Sequence, residues 1–479
     1  MKKAKTREYT FTLLVVILCL VFFALGVAVP LVFDRSGKEE SVSETEKFDA
    51  VYDLLKNEWY FSDEVEDIDQ TLMEQAIQGM TSLEQDPHTE YFDLESAKQF
   101  SDVLEGSNVG LGFSYFLDEN DNFVLRQIFI GSPAEKAGLQ KGDVITKVDG
   151  AECSSTASSK LVKRIQQSEG KSIEIEFQRG QTTKTAHIVP SEYDETVSLE
   201  LNEEKGYALI ALSSFSEQSG EDFAKAMGQI QKAGIHQLIL DLRDNTGGYL
   251  SAALDIASSL LPKDSVVFLE EDKEGNTTEQ KTNDSYGQVE MDQIVILQNE
   301  STASASEALI GALKDNLGDV VTTVGTTTYG KGTEQSTVPF SDGTSIKYTI
   351  AKWLTPKGTS IHEKGFEPDV EAQPSAVSQI SYSTTEEENT IKKDTVSANA
   401  SALQQFLEYL GYKVDRVDEY FSPASSEALK EFQTQNGLEA TGDCDPDTWK
   451  LLKEQALLKY NKETLASDTQ VEKAIEQIK

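Results

Sequence analysis

The chain is poor in cysteine, histidine and positive charge. Its cysteines are Cys19, Cys153 and Cys444, and none forms a C-x-x-C pair. That scatter argues against a disulfide framework and more strongly against a cysteine metal site. The histidines are His88, His187, His236 and His362. No Gly-x-Ser-x-Gly elbow accompanies them, so a histidine-based hydrolase lacks its parts. Lys and Arg number 43 against 82 Asp and Glu, a formal charge of -39. So acidic a chain is repelled by nucleic acid and anionic lipid, and no nucleic-acid partner is expected. Two cofactor motifs fail at a decisive position. Gly325 to Lys331 nearly spells a nucleotide loop, but Gly332 stands where the magnesium-binding hydroxyl belongs. Asp118 to Asn122 opens like a calcium loop, but Phe123 takes the glycine position and Phe129 the position of the bidentate acid. No metal and no cofactor is expected.

Long apolar runs are missing as well, with one exception. Phe11 to Phe33 is almost unbroken. At ~1.5 Å rise per residue it is long enough for the ~30 Å core of a bilayer. Lys2, Lys3, Lys5 and Arg7 precede it and acidic residues follow. By the positive-inside rule, residues 1–10 are cytoplasmic and everything after Phe33 lies outside the cell. The run exceeds the ~7–15 apolar residues of a signal peptide, which favours an uncleaved single-pass anchor over 11–33. Bulky Ile17 and Leu18 before Cys19 argue against a lipoprotein site.

Beyond the anchor the chain reads as a multidomain α/β protein. Residues 34–105 form an acidic tether and a helical segment, with Phe48, Val51, Tyr52, Leu55 and Trp59 at helical spacing. Short alternating strands and turns fill 106–190. Strand runs alternate with amphipathic helices over 191–372, the pattern of an α/β core. Residues 373–398 are rich in Ser, Thr and Glu and read as a linker. Helical periodicity returns over 399–460, a small domain, and 461–479 reads as a charged tail.

Three local patterns carry chemistry. Gln237 to Arg243 is a buried strand, Asp244-Asn245-Thr246-Gly247-Gly248 a turn, and Leu250 to Leu261 a helix. Such a turn leaves backbone N–H groups aimed at one spot, where a developing oxyanion could sit. A second strand, Ile294 to Leu297, leads through Ser301-Thr302-Ala303-Ser304-Ala305-Ser306-Glu307 into another helix. A serine at that junction has its hydroxyl near helix-end amides. Ser304 and Glu307 also satisfy the capping-box pattern, which needs no catalysis. Lys331 lies between Gly330 and Gly332, which permit close backbone approach. Buried without a carboxylate, its ammonium would lose its proton readily and could act as a base. In solvent it would be an ordinary loop lysine. The residues alone leave both readings open.

Two further stretches suggest binding. Gly110-Leu111-Gly112-Phe113, then Gly131 to Leu139 and Lys141 to Gly150, resemble a PDZ domain over 106–190. Its glycine loop would turn successive N–H groups toward a peptide C-terminal carboxylate, with the peptide added as a strand beside Gly112 and Phe113. The runs Leu403 to Leu407, Ala428 to Gln433, Asn436-Gly437-Leu438 and Asp445 to Trp449 resemble the three-helix peptidoglycan-binding domain.

Taken in order, Asp86-Pro87-His88-Thr89-Glu90-Tyr91-Phe92, Asp241 to Gly248, the Ser304 segment, Gly330 to Gln335, Thr355 to Gly358 and Gly365 to Asp369 resemble the C-terminal processing, or tail-specific, proteases. The resemblance implies a crotonase-like α/β core and a Ser-Lys dyad. It assigns Ser304 as nucleophile, Lys331 as general base and Gln335 as the residue that orients the lysine. The amides of Ala305 and Gly247, with Gly248 adjacent, would hold the oxyanion. Gly110, Leu111, Gly112 and Phe113 would bind substrate. The stretch from Ser304 to Lys331 is slightly longer than the family's, which keeps Ser306 as a second choice of nucleophile. The implied partners are proteins with apolar C-termini, peptidoglycan and the membrane of a Gram-positive cell. The helical 47–105 segment and the family together point to a homodimer. A non-catalytic scaffold on the same fold is the rival reading.

Overall fold

The computed structural model describes residues 42–105, 107–385 and 389–478. The expected cytoplasmic N-terminus and the anchor over 11–33 lie outside them. Among the described residues, no helix is long and apolar enough to cross a membrane.

The described residues fall into two compact units, divided between Met80 and Thr81. In the first, α1 (Glu44–Asn57) starts at Ser43, whose N–H donates to Glu46 Oε2 at 2.8 Å while its hydroxyl accepts from Glu46 N–H at 3.2 Å. This reciprocal cap satisfies two donors that a helix start leaves orphaned. The second helix, α2 (Ile68–Thr81), is tied back by Asp69, which accepts from Tyr52 Oη at 2.6 Å and from Lys56 Nζ. Of the expected apolar stripe, Phe48, Val51, Leu55 and Trp59 are exposed.

The larger unit begins with two β-sheets and an α/β core. The region after Gly110 folds as an antiparallel sheet in the order β1 (Phe113–Leu117), β2 (Phe123–Ile128), β3 (Val144–Val148), β4 (Ile173–Arg179) and β5 (Thr182–Ile188). Helix α3 (Ser158–Gln167) turns Leu161 and Ile165 onto it, against Leu125, Ile145 and Ile175. Strand β1 is the sheet's edge, and its outer side pairs with no strand among the described residues.

The core sheet runs β6 (Val197–Asn202), β7 (Tyr207–Leu212), β8 (Gln237–Asp241), β9 (Gln293–Gln298), β10 (Val321–Gly325), β11 (Val370–Glu371). Only β6 is antiparallel to its neighbour. Side chains of a strand alternate between faces. Leu238, Leu240, Ile294 and Ile296 therefore pack under α4 (Ser219–Ala233), α5 (Leu250–Leu260) and α6 (Ala305–Leu317), while Ile239, Val295 and Leu297 face the other way. A parallel sheet needs both faces covered, which is why these strands read as continuous apolar runs. A second, antiparallel sheet contains Glu90–Phe92 and the hairpin Thr333–Pro339 with Ser345–Leu354.

Helices α7 (Ala400–Leu410), α8 (Pro423–Gln435) and α9 (Pro446–Ala466) enclose Leu403, Phe406, Leu429, Phe432 and Trp449. Two expectations are corrected here. The linker over 373–398 joins this core: Ile391 is buried and bridges to Cys444, and the Tyr382 ring lies 5.6 Å from that of Trp449. The charged tail over 461–479 is not loose. Helix α9 continues to Ala466, and α10 (Thr469–Ile475) returns to the core sheet. Val471, Ala474 and Ile475 cover the face that Ile239, Val295 and Leu297 present. The tail mixes charged and apolar residues, and Val471, Ala474 and Ile475 share one side of α10 and meet the core sheet.

Candidate active site

Two strand-to-helix turns meet at the ends of β8 and β9. Asn245, fully buried, joins them. Its Nδ2 donates to Leu212 O at 2.7 Å, and its carbonyl accepts from Ala303 N–H and Ser306 Oγ, each at 3.0 Å. Asn299 adds a two-way bond with Asp244, its Oδ1 accepting the Asp244 N–H at 3.0 Å and its Nδ2 donating to Asp244 Oδ1 at 2.8 Å. The turns are thus fixed to each other before any side chain acts.

Ser304 stands directly before α6 with φ +57°. A left-handed φ at a non-glycine residue costs about 1–3 kcal/mol and persists only where neighbours over-determine it. Gly247 is one such neighbour. At φ +104°, a Cβ added there would lie 2.8 Å from Ser304 Cβ. Ser304 keeps 7 % of its surface exposed, whereas Ser306 is sealed and its hydroxyl is spent on Asn245.

The proposed oxyanion donors differ in availability. Ala305 is the first residue of α6, so its N–H is one of the donors a helix start leaves free. The Gly247 N–H, by contrast, already donates to Asn245 Oδ1 at 2.9 Å. The Asx-type turn consumes it. The Gly248 N–H makes no hydrogen bond among the described residues, and Gly248 packs so close to Phe215 O that a Cβ would sit 2.3 Å away. The expectation for Gly247 shifts to its neighbour.

Glu307 is the residue whose importance the sequence understated. It is fully buried within α6. Its Oε2 accepts from Ser304 N–H at 2.9 Å and Lys331 N–H at 2.8 Å; its Oε1 accepts from Gly330 N–H at 2.7 Å and Thr328 Oγ1 at 2.6 Å. One arm of the expected capping box is therefore present, and the same carboxylate also holds the lysine loop. Burial pushes its carboxyl up from the usual range, against the pull of these donors.

Lys331 needs both flanking glycines. A Cβ on Gly330 would meet Gly365 N and Lys364 N at 2.8 Å, and one on Gly332 would meet His362 Cβ at 2.9 Å. The Lys331 carbonyl accepts from Trp353 Nε1 at 3.1 Å. Its ammonium has no hydrogen bond or ion pair among the described residues. Burial holds the lysine below its ordinary range, and Lys347 adds to this, while Asp86 and Glu307 pull the other way. Gln335 lies at a bulge in the hairpin, and its Nε2 donates to Thr333 Oγ1 at 3.0 Å and Thr349 Oγ1 at 3.2 Å. Asp86 joins from the preceding segment, accepting from Thr349 Oγ1 at 3.0 Å.

The glycine loop before β1 lies in a different part of the unit. Gly110 pairs with Ser191, Leu111 is buried, and Gly112 has φ +85° with a Cβ position only 2.1 Å from Ser132 Cβ. The N–H groups of Leu111 and Gly112 make no hydrogen bond among the described residues, and Phe113 opens the unpaired edge strand. That is the arrangement a carboxylate with an added strand requires.

Comparison with known proteins gives four family matches. Residues 206–372 match peptidase family S41, 127–179 a PDZ domain, 397–452 a peptidoglycan binding domain, and 31–96 the N-terminal domain of the activating protease CtpB. The carboxy-terminal processing protease CtpB of Bacillus subtilis (strain 168) is 34% identical over 442 residues, covering 90% of this chain and 88% of the relative. A CtpA-like serine protease of Staphylococcus aureus (strain COL) is 34% identical over 88% of this chain and 83% of its own length. A CtpA-like serine protease of Staphylococcus haemolyticus is 29% identical over 98% of this chain and 94% of its own.

Proposed function

Because this chain belongs to peptidase family S41, the carboxy-terminal processing serine proteases, we propose that it hydrolyses peptide bonds with Ser304 as nucleophile and Lys331 as general base. The observation that carries this reading is the shared carboxylate of Glu307. It binds the backbone of the serine turn and of the lysine loop at once, next to a half-buried lysine whose ammonium has no ion pair among the described residues. A desolvated lysine without a partner gives up its proton more readily than one in water.

The reaction is acyl transfer. Lys331 takes the Ser304 proton as Oγ attacks the peptide carbonyl. The N–H groups of Ala305 and Gly248 hold the oxyanion. Lys331 returns the proton to the leaving amine, the C–N bond breaks, and water releases the acyl group by the reverse path. Gln335 orients the lysine.

The PDZ module supplies substrates by holding an apolar C-terminus at Gly110, Leu111, Gly112 and Phe113. The run 11–33 anchors the chain in the cell membrane with the protease outside, and the 399–460 domain engages peptidoglycan. The exposed apolar stripe of α1 supports pairing of two copies. In the test, the full-length chain is incubated with an unfolded protein ending in apolar residues, and products are read by mass spectrometry. Fragments shortened from the C-terminus support the reading; intact substrate under every activating condition removes it.

A further inference from the structure

The segment Asp86-Pro87-His88-Thr89 has no part in the chemistry described so far, yet it reaches the lysine's surroundings. We propose that Asp86 is a positioning residue for the peptidase reaction, fixing through Thr349 which end of the Gln335 amide is offered to Lys331. The proposal rests on the Ser-Lys reading.

The hydrogen bonds from Gln335 through Thr349 to Asp86 run in one direction. An ionised carboxylate only accepts, and a threonine hydroxyl has a single proton to donate. Thr349 Oγ1 gives that proton to Asp86 Oδ1 at 3.0 Å. Only its lone pairs remain, so its neighbour must donate. Gln335 does so through Nε2, at 3.2 Å, with Thr333 Oγ1 taking the other amide proton at 3.0 Å. Both amide protons are then spent, and the carbonyl Oε1 is the end left to accept from the lysine amine. Without the carboxylate, the Thr349 hydroxyl could turn and donate to Gln335, and the amide would lose its preferred sense.

Asp86 is itself held firmly. Thr89 Oγ1 donates to its Oδ2 at 2.6 Å, His88 N–H to its Oδ1 at 3.2 Å, and Thr349 N–H closes the ring on Thr89 Oγ1 at 3.2 Å. Burial works against ionisation here, but the bonds from Thr89, Thr349 and His88 outweigh it and keep the carboxyl below its ordinary range. The acceptor at the head of the chain is therefore charged at neutral pH. The charged and titratable groups around Lys331 are Lys347 on the adjoining strand, Asp86 and His88 on the 86–92 segment, Glu307 on α6, and His362 against Gly332.

The test uses the full-length chain and a peptide reporter across pH. Asp86→Asn is expected to lower kcat by about tenfold or more, the scale of one hydrogen bond to a charged group, with little change in KM. It also removes a negative charge that favours protonated Lys331, so the acid limb of the rate profile moves to lower pH. Thr349→Val should lose kcat without moving the limb, and Thr349→Ser should restore it. In a Gln335→Ala background, Asp86→Asn should cost nothing further. Wild-type kcat in Asp86→Asn, a loss confined to KM or melting temperature, or full additivity with Gln335→Ala would each overturn the proposal. Undiminished activity in Lys331→Ala would instead remove the Ser-Lys reading beneath it.

Discussion

Ser304 and Lys331 hang their backbone N–H groups on one oxygen, Glu307 Oε2, at 2.9 and 2.8 Å. The distance between the serine turn and the lysine loop is therefore set by a side chain that never needs to touch substrate. Glu307→Gln keeps the shape but turns an amide NH₂ toward donors. At least one buried donor then loses its acceptor, at about 1–3 kcal/mol. The expected outcome is a lower melting temperature together with a fall in kcat. A Glu307→Gln variant with wild-type kcat would show that the shared oxygen does not set the catalytic geometry.

The base should be tunable through its neighbour. Lys347 lowers the proton affinity of Lys331 and is itself paired with Glu90 at 3.2 Å. Removing it in Lys347→Met takes away a like charge, so Lys331 holds its proton to higher pH. Because the neutral amine is the active form, kcat/KM should rise with pH along a limb displaced upward from that of wild type. A limb that stays in place would mean that another group controls it.

The returning tail should carry stability. Arg243 donates to Asp241 and, through Nη1 and Nη2, to Asp468 at 3.2 and 3.0 Å, with Gln470 Oε1 at 2.8 Å. Asp468→Ala leaves the guanidinium short of a partner beside the oxyanion turn. A loss of about 2–3 kcal/mol is expected, somewhat under that of a fully buried pair. Burial opposes ionisation of Asp468, and Arg243 more than offsets it, so its carboxyl lies below the usual range. The contribution is then present above the unfolded carboxyl value of about 3.9 and fades as pH falls through the lower folded value. Urea denaturation of wild type and Asp468→Ala at neutral and acid pH checks both size and sign, and equal stability at neutral pH would contradict it.

Much of this arrangement was legible in residue order. The apolar runs 238–240 and 294–297 announced buried strands of an α/β core, and the sheet they form is covered on both faces. Gly330 and Gly332 announced close backbone approach, and the loop 361–365 fills that space. What stayed hidden depends on partners far apart in sequence. Nothing near Asp468 indicates Arg243, and Ile391 looks like a lone apolar residue in a polar stretch until Cys444 pairs with it. Gly247 failed as a free donor for a local reason. Asn245 is a strong Asx-turn former, and its side chain takes the nearest N–H but one. That signal was in the sequence. Glu307 read as a capping residue, which is true of one oxygen's first contact and omits the other three.

The central claim, a Ser304 nucleophile activated by Lys331, is tested most directly by cleavage of one unfolded substrate with an apolar C-terminus. Wild type, Ser304→Ala, Ser306→Ala and Lys331→Ala are compared at equal concentration after each is shown to be folded. The account predicts C-terminal trimming by wild type and by Ser306→Ala, the latter with a modest loss of stability because its hydroxyl only ties Asn245. It predicts no turnover by Ser304→Ala or Lys331→Ala. Turnover by Ser304→Ala at the wild-type rate, with Ser306→Ala inert, would contradict it and move the nucleophile to Ser306.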